Sequence, residues 1–481
     1  MPQQPHILFF LTDQQRADCL SCAGHPVVRT PHIDRMASKG VRFTNAFTTS
    51  PLCVPARLSL ACGLYPHNSN LWQNDATLPL DADTYMKRLQ AGGYRTCSIG
   101  KNHLYPMENC DLYANEPHYQ AVGYDHIEDL SGTWGVIEGT SLYTDRLREL
   151  GLLEPLRDYL RRLEQQPDEV RRYVAEPLPI PAEHYIDAFV ADRVTGYVEQ
   201  YDSGQPSFVF VGFQGPHEPW DVPDEYCCNI DLDRIPDPIL EGPSGEWLSD
   251  RSRQYERWAQ YYPPPSSRAL KKVSARYFGK IAQIDESVGR ILSAYERKGW
   301  LDQTLVIFAS DHGEMLGDHN RLSKSVMYDS AIRVPLIVRS PDRAAGVDRD
   351  AFVETIDLYA TILDIAGCGG PSYCDSHSLL PLLSDPTLGL HDDVLAEAHV
   401  HYMLRTKDRK LVVGRDGGTL QLFDLQTDPL EQRNLCGHPD HRTAELEMRS
   451  RLLSRIAANT FRPGREDPEH SGHFSRETQG R

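Results

Sequence analysis

The chain has 481 residues, 40% of them hydrophobic and 25% charged, with a formal net charge of −18; that length accommodates one large core and a smaller satellite domain. The negative balance argues against nucleic acid or an anionic membrane as partner, and no run of about 18 apolar residues is present to span a bilayer. An anionic substrate stays open, because screening over about 8 Å at physiological salt lets a local basic pocket override a distant acidic surface.

In chain order, a first strand is expected at Ile7–Leu11, running into Thr12-Asp13-Gln14. The apolar run is too short, and lacks the basic start and small-residue cleavage site, for a secretory signal. The expected location is therefore the cytoplasm, a trimmed leader aside. Further strands are expected at Tyr94–Ile99, Ser207–Phe213, Thr304–Ala309 and Pro335–Arg339, all β-branched or aromatic at their centres. Between them Ile186, Phe189, Val190, Val194, Tyr197 and Val198 share one helical face, as do Tyr277, Ile281, Ile284, Val288, Ile291, Leu292 and Tyr295. Thr355–Ala366 reads as a helix stopped by Gly367.

After a Gly/Pro/Ser-rich link near 367–385, Tyr402–Val413 and Thr419–Leu425 read as a hairpin turning at Asp416-Gly417-Gly418. A helix near 443–457 follows, and then a polar end expected to be disordered. Residues 140–180 and 225–270, rich in Pro, Arg and Glu, read as insertions forming a pocket rim rather than core. The alternation of strands and helices predicts an α/β fold: a large, mostly parallel, mixed sheet sandwiched by helices, with a smaller C-terminal α+β subdomain carrying a short antiparallel sheet. The expected domains are 1–375 and 376–481. Eleven cysteines without repeating spacing argue against a disulfide framework. Cys19-x-x-Cys22 has no second pair to complete a zinc or redox site, and the vicinal Cys227-Cys228 reads likewise as ordinary thiols.

The chemistry-bearing residues stand just past expected strand ends, where a doubly wound sheet places ligands. Asp13-Gln14 follows the first strand, and Ser310-Asp311-His312-Gly313-Glu314 follows the Thr304–Ala309 strand. Two carboxylates, an amide oxygen and an imidazole suit a divalent cation. Calcium fits the oxygen donors best, with manganese or magnesium as alternatives.

The stretch Cys53-Val54-Pro55-Ala56-Arg57, with Leu58-Ser59-Leu60-Ala61-Cys62-Gly63 after it, reads C-x-P-x-R. Together with Asp13, Gly100-Lys101-Asn102-His103, Pro216-His217-x-Pro219, Asp311-His312-Gly313 and Lys324, it resembles the active-site series of the type I, formylglycine-dependent sulfatases of the alkaline phosphatase superfamily. In the tail, Asp375, Ser378-Leu379-Leu380-Pro381, Phe423-Asp424-Leu425, Asp428-Pro429-x-Glu431 and Asn434-Leu435 are similar to that family's C-terminal subdomain. The resemblance implies that Cys53 is oxidised by a sulfatase-maturing enzyme to formylglycine, whose hydrate is the nucleophile. A divalent cation would be held by Asp13, Gln14, residue 53, Asp311 and His312. Arg57 would hold the gem-diol, and Lys101 and Lys324 would bracket the sulfate. His217 or Lys324 would protonate the leaving alcohol, and His103 would take the proton that triggers sulfate release. Asn74 would contact the sulfate or the cation's surroundings.

The chain departs from the family pattern at two ligand positions. Most sulfatases carry consecutive aspartates where Asp13-Gln14 stands, and many carry Asn where His312 stands. Gln14 and His312 are both features of the phosphonate monoester hydrolase branch, whereas Lys101 and His103 replace the Tyr and Thr of that branch. The implied function is hydrolysis of a sulfate monoester, of a small molecule or glycan. Trp72, Trp134, Trp220, His67 and Tyr105 are candidates for stacking on a sugar. The alternatives are a phosphonate monoester or phosphodiester hydrolase with the same nucleophile, and a non-catalytic sulfoglycan-binding protein with Cys53 unconverted. A homo-oligomer is compatible with all three.

Overall fold

Strand β1, His6–Asp13, is buried over all but its first residue and lies at the heart of an eight-stranded sheet. This computed structural model describes residues 4–106, 110–240, 244–258, 264–341, 343, 346–370, 373–399 and 401–460. The remaining strands of the sheet are β2 (Val41–Phe47), β3 (Arg95–Gly100), β4 (His126–Asp129), β5 (Ser207–Pro216), β6 (Thr304–Ser310), β7 (Leu336–Arg339) and β8 (Val347–Glu354). Their order is β4-β3-β5-β1-β6-β7-β2-β8, and only β7 runs against its neighbours. The helices that matter below are α1 (Cys53–Cys62), α2 (Leu153–Glu164), α3 (Ile186–Gln200), α4 (Ser267–Arg297), α5 (Asp357–Ala366) and α6 (Arg442–Ala458).

Successive strand residues point to opposite faces, and a sheet covered on both faces needs apolar residues on both. Leu8 and Phe10 of β1, with Val209, Val211 and Phe213 of β5, pack into one core with α3 and α4. Ile7, Phe9 and Leu11, with Phe208 and Phe210, pack into the other with α1 and α5. Because β1, β2, β3, β5 and β6 all run the same way, their carboxyl ends open on one edge of the sheet, and the loops there carry Asp13, Cys53, Lys101, His217 and Asp311.

The expected strands are all present, and the α/β class with a mostly parallel mixed sheet holds. The structure corrects three expectations. The 402–413 stretch is not one strand but two, β10 (His401–Arg405) and β11 (Arg409–Val413). A polar turn parts them, closed by Thr406 N–H donating to the Arg409 carbonyl at 2.8 Å and Arg409 N–H donating to Thr406 Oγ1 at 3.1 Å. With β9 (Val394–Ala398) and β12 (Thr419–Asp424) they form a four-stranded antiparallel sheet in the order β12-β11-β10-β9. Secondly, the 140–180 stretch is not rim alone. Leu153, Leu156, Leu160 and Leu163 of α2 recur at helical spacing and enter the α3–α4 core, a stripe masked by the surrounding Arg and Glu. Thirdly, β2, β4 and β8 complete the sheet where no strand was expected. Leu379, Leu380, Leu382 and Leu383 still pack into the α1–α5 core. The polar end past residue 460 lies outside the described residues, as do parts of the 225–270 stretch.

The small sheet buttresses the loop that leads into α1. Val394, Ala396, Met403 and Val412 pack against Phe47, Leu52, Met327 and Phe352, and Glu397 N–H donates to the Thr49 carbonyl at 2.8 Å. All eleven cysteines are unpaired, and no helix among the described residues is long and apolar enough to cross a membrane.

Gly100 ends β3 with φ +103°, and a Cβ there would lie 2.1 Å from the Gly212 carbonyl oxygen of β5. That close crossing turns the chain inward to Lys101. Gly100→Ala is expected to cost about 1–3 kcal/mol, read as a lower urea midpoint, with activity falling further than stability because Lys101 is displaced.

Candidate active site

All ten residues of α1 are buried, Arg57 and Ser59 among them. Cys53 is its first residue, where the unpaired N–H groups and the macrodipole favour negative charge. Asn74, which is exposed, accepts the Val54 N–H through Oδ1 at 3.2 Å, so it caps this helix. Arg57, one turn in, points back to the sheet edge, and its guanidinium fork is fully used. Nε donates to Asp311 Oδ2 at 2.8 Å, one Nη to Asp13 Oδ2 at 3.2 Å, and the other to the Lys101 carbonyl at 2.7 Å. The Lys101 ammonium lies 2.6 Å from the same Asp13 oxygen. Burial favours the neutral acid at Asp13, yet Lys101, His217, Arg57 and His312 hold its carboxyl well below the ordinary range.

Cys53 Sγ is 3.1 Å from His312 Nε2 and 3.7 Å from Asp13 Oδ1. Asp13, Cys53, Asp311 and His312 each bring one donor atom within 4.8 Å of the others, all four buried. His312 Nδ1 sits 3.0 Å from the Gly313 carbonyl. That oxygen can only accept, so the proton belongs on Nδ1 and the Nε2 lone pair faces the cluster. Burial lowers the His312 imidazole below its ordinary value, which favours this neutral form. Two carboxylates and a neutral imidazole, with the Cys53 side chain beside them, are a donor set that fits a divalent cation.

Gln14, in a left-handed conformation at φ +71°, turns its amide between two acids that sequence reasoning left without a role. Nε2 donates to Glu218 Oε2 at 3.0 Å and to Glu314, so Oε1 faces the opposite way and accepts from the Lys324 ammonium. Lys324 also lies 2.6 Å from His217 Nε2. His217 Nδ1 is 2.8 Å from the Glu218 carbonyl, which places the ring proton on Nδ1 and leaves Nε2 to accept from Lys324. Burial alone would lower the Lys324 ammonium, but Cys53, Glu218, Asp13 and Glu314 hold it above its usual value. Burial pushes Glu314 up, and neighbouring Glu218 adds to it. The loop bearing His217 is pinned from below by Lys280 of α4, whose ammonium donates to the His217 and Pro219 carbonyls at 2.6 and 2.7 Å. Lys280 falls on a helix interior, so position alone gave no signal for it.

His103, at φ +63°, carries a buried Nδ1 with no hydrogen-bond partner among the described residues. Burial, with Lys101 and Arg57 nearby, holds its imidazole well below 6.5, so it is a neutral base at ordinary pH. The structure thus brings Asp13, Cys53, Arg57, Lys101, Asp311 and His312 into one contact network, and Gln14, His217 and Lys324 into another joined to it. Asn74 reaches it only through the backbone of α1.

Residues 5–368 match the family model described as Sulfatase, and residues 317–458 the one described as N-sulphoglucosamine sulphohydrolase, C-terminal. An arylsulfatase of Clostridium perfringens is 27% identical over 475 residues, covering 94% of each chain. An N-acetylglucosamine-6-O-sulfatase of Bacteroides thetaiotaomicron is 25% identical, covering 93% of this chain and 85% of the relative. The phosphonate monoester hydrolase of Agrobacterium radiobacter has a similar structure, with a TM-score of 0.78 at 25% identity over 95% of this chain and 96% of that one.

Arg57→Ala removes the guanidinium from two buried carboxylates, leaving Asp13 with Lys101 alone, and is expected to destabilise the cation-free protein by about 3–5 kcal/mol in urea unfolding. Added calcium should raise the Tm of this variant more than that of the wild type, since the ion takes over compensation of Asp13 and Asp311.

Proposed function

The chain belongs to the sulfatase family and is a sulfuric ester hydrolase, and we propose that it removes sulfate from a sulfated carbohydrate, using residue 53 as formylglycine and one divalent cation. The observation that supports this reading is Cys53 Sγ at a buried helix start, within the Asp13–Asp311–His312 cluster and beside Lys101 and Lys324. The cation, held by Asp13, Asp311, His312 and residue 53, would supply Lewis-acid polarisation of a sulfate oxygen and favour ionisation at residue 53, while Gln14 Oε1 accepts from Lys324.

The side chains of this protein carry the remaining roles. Arg57 fixes the carboxylates and the start of α1, and so aims residue 53. Lys101 and Lys324 neutralise the sulfate oxygens as charge moves onto them; removing one such donor typically costs about 3–4 kcal/mol in the barrier. One hydroxyl of the residue 53 hydrate, its proton passing to Asp311, bonds to sulfur as the ester S–O bond breaks, and the mobile proton of the Lys324–His217 pair passes to the departing alcohol oxygen. His103 accepts the proton of the second hydroxyl at residue 53. Its C–O bond to sulfate then breaks, and the aldehyde returns.

A cavity of about 190 Å³ adjoins this site, sharing Glu218 and flanked by Ser323 beside Lys324. Trp134, Arg171 and Trp220 line it; the Arg171 guanidinium lies over the Trp134 ring, 5.4 Å from its centroid. We assign the sugar ring to this cavity. Trp72 packs against Tyr402, Tyr105 against Tyr119, and His67 is held by Glu397; these three line other surroundings.

Gln14 and His312 support the second reading, a phosphonate monoester or phosphodiester hydrolase. Comparing kcat/KM on sulfated sugars, aryl sulfates and phenyl phosphonates separates the two, and faster phosphonate turnover would reverse the assignment. Intact-mass analysis of the Cys53 peptide is expected to show a loss of about 18 Da relative to cysteine; an unmodified thiol in fully active protein would falsify the formylglycine mechanism, and an unmodified thiol in protein without activity would favour a binding role.

His103→Ala is expected to give a burst of product followed by a turnover about 10²–10⁴ slower, with sulfate left on residue 53 and visible by mass. Trp134→Ala should weaken use of a sulfated sugar by about 0.5–1.5 kcal/mol in kcat/KM, while leaving a small aryl sulfate unaffected.

A further inference from the structure

Away from the catalytic cluster, and sharing no residue with it, Asp357, His377 and His391 each bring a donor atom within 4.8 Å of the others. Asp357 is the first residue of α5 and is fully buried. Two backbone donors fix its carboxylate: Glu354 N–H gives to Oδ2 at 2.8 Å and His377 N–H to Oδ1 at 3.0 Å. His391 Nε2 lies 2.8 Å from Oδ2, and its side chain is only 3% exposed. The exposed His377 ring stands edge-on to His391, with centroids 5.3 Å apart. Glu354 brings a further carboxylate oxygen to 3.9 Å from His391 Nε2.

We propose that Asp357, His377 and His391 form a second metal site, for a divalent transition metal of the zinc class. Two imidazoles and one carboxylate select such ions over calcium or magnesium, which take oxygen ligands. Three protein ligands leave a position for water or for Glu354. The carboxylate is oriented by two N–H groups, as ligating carboxylates are held by an outer shell. The exposed His377 ring gives the ion a route from solvent without unfolding. On binding, the Nε2 proton that His391 shares with Asp357 leaves to solvent, and the freed lone pair takes the metal.

The ion would tie three segments that no disulfide joins. These are the start of α5, the connection around His377, and the approach to β9, where His391 already forms a β-bridge with Phe352 of β8. Its effect would be to fasten the small sheet to the outer edge of the large one, and the site would hold whether the substrate is a sulfate or a phosphonate.

The test uses full-length protein stripped with a chelator, dialysed against zinc alone and assayed for bound metal, with cobalt as a spectroscopic probe of imidazole coordination. His377 makes only an exposed ring contact, so His377→Ala is the first variant. It is expected to hold one zinc fewer than wild type, to lose the zinc-induced rise in Tm, and to keep full aryl sulfatase activity when given the catalytic cation. His391→Gln, which keeps a polar partner for Asp357, should lose the same equivalent. Zinc that binds the catalytic cluster or the general surface is common to all three proteins and cancels. Equal zinc content in wild type and His377→Ala, or cobalt spectra identical in the two, would overturn the proposal.

Discussion

Two carboxylates, Asp13 and Asp311, are buried side by side at the ends of neighbouring strands β1 and β6, and Arg57 is the guanidinium that binds both. Taking charges out of water costs several kcal/mol per ion unless each finds a partner. The bidentate reach of a guanidinium meets this need where an ammonium could not, because its donors diverge at fixed angles. Lys101 completes the balance on Asp13. With two cations set against two anions the ring is neutral, and a divalent ion bound there would give it a surplus of positive charge. An anionic ester, and a transition state in which charge moves onto its leaving oxygen, require that surplus.

The backbone bends to serve this arrangement. Gln14 and His103 hold positive φ, which residues with a Cβ seldom adopt and which structures retain where function over-determines it. Each turns the chain sharply after a strand, Gln14 after β1 and His103 three residues past β3. Their side chains therefore lie over the sheet edge instead of continuing along it. The small sheet contributes at one remove. It grips the Thr49 carbonyl and the Phe47 and Leu52 side chains just before α1, so the C-terminal part of the chain sets the position of residue 53.

The central strands were legible because both faces are buried, which makes their runs continuously apolar, and Asp13 and Asp311-His312 stood out because they follow those runs at once. β8 was hidden by its polar first half, Val347-Asp348-Arg349-Asp350, which lies at the sheet's edge where one flank meets solvent. β4 is an edge strand of four mostly polar residues. The stripe of α2 was obscured because composition over a window averages a buried face with a charged one. At the site, Asp13, Lys101, His103, Asp311 and His312 stand in recognisable motifs, but residues that hold those groups or their loops in place do not. Glu218 fills the unspecified place between His217 and Pro219, and Lys280 lies in mid-helix. Only the folded arrangement brings such residues to their partners.

Gln14 shows how far those hidden partners reach. By pattern alone, a glutamine where relatives carry aspartate reads as a lost ligand charge. In the structure its amide nitrogen faces Glu218 and Glu314, so a carboxylate at position 14 would meet two others at hydrogen-bond range. Like charges at such distances in a buried site cannot all remain ionised. The amide resolves this conflict: it donates to both acids and, being thereby fixed in orientation, presents its oxygen towards Lys324. The two acids are then free to hold the Lys324 ammonium charged beside His217, which is the state in which that pair can protonate a departing alcohol. The departure at position 14 and the acids at 218 and 314 thus form one electrostatic unit.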